Sequence, residues 1–127
     1  MKIVIGGQMD KKVIEQLVQL CSSEIIEVTI QSDVQAAMAI KTGEADYYLG
    51  ACYTGGGGAI AMAIAILGSE MCVTVSTPGR RPDKNSIEKA ITQGKKAFGF
   101  TTDHKEEAVP LIIGAITDKF NKTGVIN

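Results

Sequence analysis

The chain has 127 residues, which fits a single domain, residues 1–127, with a core large enough to need no disulfide or metal staple. Hydrophobic residues make up 45% and charged residues 21%, the balance of an ordinary globular protein. A net charge of −1, 5% aromatic residues and no tryptophan argue against a nucleic-acid surface, whether basic or base-stacking.

The opening Met1-Lys2 runs directly into the apolar strand Ile3-Val4-Ile5, which ends in Gly6-Gly7. The expectation is a cytoplasmic protein without a leader. Asp10 suits the N-cap of a first helix, where Val13, Ile14, Leu17, Val18, Leu20 and Cys21 recur at helical spacing. Ile25, Ile26, Val28 and Ile30 form a second strand. Ser32 caps a second helix bearing Val34, Ala37, Met38 and Ile40, and Gly43 ends it.

Tyr47-Tyr48-Leu49 is a third strand, entered from Asp46, for which a structural role is expected. It leads into Gly50-Ala51-Cys52-Tyr53-Thr54-Gly55-Gly56-Gly57-Gly58 and an apolar helix, residues 59–67, closed by Gly68. Residues 71–75 form a fourth strand, and the polar loop 76–83 contains Pro78-Gly79-Arg80-Arg81. A fourth helix spans about Lys84 to Gln93 and stops at Gly94; residues 97–100 form a fifth strand. Asp103 with Glu106 resembles a capping box for the last helix, which Pro110 should bend or restart. Residues 124–127 read as a loose end.

Five strand–helix units in strict alternation imply a three-layer α/β fold with a parallel sheet, flavodoxin-like (Rossmann-like), in the order 2-1-3-4-5. In that order the ligand crevice lies between the first and third strands. Gly7 and Gln8 leave the first strand there, and Cys52 to Gly58 leave the third.

Four successive glycines let backbone N–H groups converge on a ligand, and the helix they open adds unpaired N–H groups and its dipole. Gly55, Gly56, Gly57 and Gly58 therefore read as a cradle for a phosphate, carboxylate or enolate oxygen. The alternative is a tight turn that only packs the helix on the sheet. Thr54 either contacts the ligand or caps the helix, and Gln8 can bind a hydroxyl. Cys52, at a helix N-terminus, suits a base or nucleophile, with ligand contact without chemistry as the alternative. Arg80 and Arg81 form either a phosphate clamp or two solvated charges. Cys21 and Cys72 read as core fillers, Tyr47 and Tyr48 as core or interface, and His104 as an exposed residue at a helix start.

No CxxC or Cys/His spacing exists, so no metal and no cofactor is implied. The nine-residue apolar run is too short to span a membrane. It has no polar face, and such a helix must be buried all round. A homo-oligomer, in the simplest case a dimer, would cover helix 59–67; the alternative is cover from the first and last helices of the same chain.

The glycine stretch resembles the ribose-5-phosphate isomerase B / galactose-6-phosphate isomerase family. The resemblance rests on Gly43-Glu44-Ala45-Asp46, on Cys52-Tyr53-Thr54-Gly55-Gly56-Gly57 and on the opening Met1 to Gly6. It implies a flavodoxin-like dimer in which Cys52 moves a proton between sugar carbons and Gly55, Gly57 and Gly58 hold the enediolate oxygen. This chain departs from that family at Gln8-Met9, where an Asp-His pair would stand, and at Val75-Ser76-Thr77, where a ring-opening histidine would stand. Over nearly its whole length the chain is similar to the YhfU-like family of uncharacterised small bacterial proteins, through Asp46-Tyr47-Tyr48, Gly50-Ala51-Cys52-Tyr53-Thr54-Gly55 and Pro78-Gly79. The functional expectation is a pocket for a small anionic, sugar-phosphate-like metabolite, worked by an isomerase-like enzyme through Cys52 or by a non-catalytic binding or structural oligomer.

Overall fold

Five parallel strands and five helices alternate along the chain in a computed structural model that describes residues 1–21, 26–53 and 57–123. The strands are β1 (Lys2–Gly7), β2 (Glu27–Ile30), β3 (Tyr47–Cys52), β4 (Cys72–Thr74) and β5 (Ala97–Thr101). The helices are α1 (Lys11–Cys21), α2 (Asp33–Thr42), α3 (Gly57–Leu67), α4 (Lys84–Thr92) and α5 (Lys105–Thr123). Several predicted boundaries hold for the predicted reason. Ser32 Oγ accepts from the Gln35 N–H at the start of α2, Asp83 caps α4 through Ser86, and Gly43 takes the left-handed conformation after α2. Asp46 is structural as expected, accepting from the Lys2 N–H at 2.8 Å and so aligning the starts of β1 and β3.

The strand order is β2-β1-β3-β5-β4, so the expected 2-1-3-4-5 is corrected at its last two positions. Every residue of β5 is buried, whereas β4 has three residues, two of them half-buried. The strand hidden on both faces takes the interior place and the short one takes the edge.

The swap redistributes the helices. Right-handed crossovers put helices on opposite faces when the chain moves across the sheet in opposite directions. The steps β1 to β2 and β4 to β5 run one way, so α1 and α4 share a face, on which α5 packs between them. The steps β2 to β3 and β3 to β4 run the other way, so α2 and α3 share the second face. Two separate cores result. Ile3, Ile5, Leu49, Phe98 and Phe100 bury against α1, α4 and α5. Val4, Tyr48, Cys52 and Ala97 bury against α2 and α3.

Other details differ from expectation. The alternative cover for α3 is excluded, because α1 and α5 lie across the sheet from it. Cys21 is exposed at the end of α1, whereas Cys72 is buried. α5 runs unbroken through Pro110 instead of restarting there. Asp103 lies in a 3₁₀ turn, Thr102–His104, that precedes α5. The carboxylate of Asp10 reaches away from α1 to the Thr102 hydroxyl and to Lys105 Nζ at 3.8 Å.

Candidate functional site

The C-terminal end of β3 is the meeting point of the predicted site. Gly6, Gly50 and Gly99 lie in register across β1, β3 and β5. The Tyr48 ring occupies the space over the first two. A Cβ on Gly6 would come within 2.5 Å of that ring, and one on Gly50 within 2.7 Å of the Ala59 carbonyl oxygen. Tyr48 Oη accepts from the Gly7 N–H and donates to the Ala59 carbonyl, both at 3.0 Å. One buried phenol thus ties the end of β1 to the first turn of α3. Burial pushes its pKa far above the ordinary tyrosine value. Both tyrosines resolve as core, and they pack on opposite faces.

On the β1 flank the predicted switch point forms. Gly7 has φ +76°, and the N–H groups of Gln8 and Met9 both donate to the Ala51 carbonyl, at 3.0 and 3.2 Å. Gln8 reaches α3: a Cβ on Gly58 would stand 2.5 Å from Gln8 Oε1. Gly7, Gln8, Gly58 and the end of β3 therefore converge. Gly57 opens α3, and the first N–H groups of a helix have no partner within it. Thr54, Gly55 and Gly56 lie outside the described residues.

The β5 flank holds what the sequence reading missed. Because β5 replaces β4 beside β3, Cys52 stands in register with Thr101, on the α3 face. Thr101 and Ser76 are fully buried polar residues. The Thr101 N–H donates to Ser76 Oγ at 3.0 Å, the two hydroxyls are 3.2 Å apart, and Thr101 Oγ1 is 2.7 Å from His104 Nδ1. A hydrogen bond with Thr101 is the main reason Asp103 sits below the usual carboxylate range, with His104 a smaller cause.

The Thr101 hydroxyl and Asp103 Oδ1, the latter at 3.6 Å, both lie on the Nδ1 side of the His104 ring. The His104 side chain is 12% exposed, not the open helix-start residue expected. The signal available was the polar run Thr101-Thr102-Asp103-His104 directly after an apolar strand.

Arg80 and Arg81 do not converge. Arg80 Nη2 donates to the Thr74 carbonyl at 3.2 Å, and Arg81 forms a fork with Glu107, closest at 2.9 Å. That fork ties the β4–α4 loop to α5. Among the described residues, no group of three or more His, Cys, Asp or Glu is placed to hold a metal ion. No helix among them is long and apolar enough to cross a membrane.

Fold and site together define a parallel α/β protein in which the carboxyl ends of β1, β3 and β5 bring together Gln8, the start of α3, Cys52 and a buried Ser–Thr–His network. The chain belongs to the DUF2620 family of proteins of unknown function, whose profile matches residues 1–116. It is 38% identical over 112 residues to the uncharacterised protein YhfU of Escherichia coli K12, covering 88% of this chain and 95% of that one. YhfU of Shigella flexneri matches to the same extent. No solved structure matches the chain.

Proposed function

We propose that the crevice binds a small anionic, sugar-like metabolite and moves a proton on it, with Cys52 and His104 as the proton-handling pair. The observation that carries this reading is the register of Cys52 with Thr101, whose hydroxyl holds His104 at 2.7 Å. In the isomerase family that the glycine stretch resembles, a histidine follows the fourth strand. Here β5 takes the place beside β3, and His104 follows β5.

The chemistry balances as an isomerisation. The Cys52 thiolate removes a proton from the carbon next to a carbonyl, and the electron pair moves onto the carbonyl oxygen. The N–H groups at the start of α3 stabilise that enediolate. His104 Nε2 carries the hydroxyl proton between the two oxygens, and Cys52 returns its proton to the neighbouring carbon. Arg80 and Arg81 have no part in this reading.

The burial of Cys52, 2% exposed beneath α3, favours a second reading in which the crevice binds without turnover and Cys52 only packs. Incubating the protein with aldose and ketose phosphates in heavy water separates the two. Turnover appears as deuterium entering a sugar carbon, and Cys52→Ser should slow it about 100-fold or more. Thermal stabilisation by a sugar phosphate without deuterium entry supports binding alone. If no phosphorylated or carboxylated compound raises the melting temperature, both readings fall.

A further inference from the structure

We infer that the outer surface of α2 and α3 is the interface of a homodimer, with α3 packed against its own copy across a twofold axis and α2 alongside. The starting point is the uneven cover of the sheet, two helices on this face against three on the other. α3 carries no charged or hydrogen-bonding side chain. Its inner side, Ala59, Ile60 and Ala63, is buried on the sheet. Ala61 and Ala65 are exposed on the opposite side, between Met62 and Ile64, each 39% exposed. On α2, Val34 and Met38 stand one turn apart and are 48% and 42% exposed.

A helix that is apolar on every side is stable in water only when every side is covered. Three arguments make the cover a second copy. The first is area. These six residues present on the order of 400 Å² of mainly apolar surface, about half of the ~800 Å² that each partner buries in a standard interface and enough for its apolar centre. The second is charge. A chain that is 21% charged leaves α3 uncharged, so no like charges meet when the surface is paired with itself across a dyad. The third is shape: two alanines one turn apart, flanked by larger side chains, form a shallow groove into which the same groove's rim fits. A membrane surface is disfavoured, because a helix lying on one carries a lysine- and arginine-rich flank, and α3 has none.

The inference does not depend on any ligand in the crevice. Sedimentation velocity of the whole chain at micromolar concentration tests it. The wild type should show twice the mass of one chain, and Ala61→Glu with Ile64→Glu should halve that value while leaving the circular dichroism unchanged. Lys89→Glu, on the exposed side of α4, should keep the dimer. If the glutamate variant fails to fold, Ala61→Cys in a Cys21→Ser background decides, because mild oxidation should then link two chains through position 61. A wild type that sediments as a monomer, a folded glutamate variant that stays dimeric, or no cross-link from the cysteine variant overturns the inference.

Discussion

The two faces of the sheet are built from the same strands and to different ends. The α5 face is covered by three helices, contains three buried aromatic side chains, Tyr47, Phe98 and Phe100, and turns charged helix surfaces outward. The α3 face is closed mostly by alanine, isoleucine and one tyrosine, and its two helices turn apolar residues outward. The candidate-site residues Cys52 and Thr101 and the start of α3 all belong to this thinner face. The difference teaches that bulk burial and close backbone packing are divided between the faces. One supplies bulk burial, and the other trades bulk for close backbone approach around Tyr48 and an open side.

The comparison breaks most visibly through the α5 face. Phe100→Ala should cost about 3–5 kcal/mol in urea unfolding, because it opens a cavity in the larger core. A loss near 1 kcal/mol would mean that the faces share the burden evenly. Tyr48→Phe on the α3 face should cost about 1–3 kcal/mol, since the Gly7 N–H and Ala59 carbonyl lose their shared partner. Faster amide exchange at Gly7 would place the loss at the end of β1.

Alkaline titration sharpens the contrast further. Burial pushes Tyr47 up to about 12, and the charge of Asp46 adds to the shift. A tyrosine ionises near pH 10 in the unfolded chain, so a raised folded value gives stability that is complete below about pH 10 and lost as pH climbs towards 12. Tyr47→Phe should flatten the fall in melting temperature over that window. The smallest effect belongs to Asp103, whose lowered pKa gives stability present above its unfolded value and lost as pH falls through the folded one. Asp103→Asn should make the acid limb of the melting profile slightly shallower below about pH 4.

Much of this fold was legible because its signals are local. Caps at Ser32 and Asp83, the stop at Gly43 and the apolar strand runs each depend on a few neighbouring residues. Lateral strand order is not local. Residues 71–75 and 97–100 read as equally apolar, and only their packing shows that β5 lies inside and β4 at the edge. That one exchange hid the site's second half, since a histidine after an edge strand would stand far from Cys52. The Gly7–Gln8–α3 convergence was legible because the switch between β1 and β3 survives the exchange. The pairing of Arg81 with Glu107 was not legible, because the two residues are far apart along the chain.

The central claim is that the end of β3 is one site shared by Cys52 and the imidazole of His104. The chain has one histidine, so the ¹⁵N spectrum of its side chain needs no assignment. A sugar phosphate that stabilises the protein should shift the Nε2 resonance in both the wild type and Cys52→Ser. An imidazole unmoved by a ligand that raises the melting temperature would contradict the account.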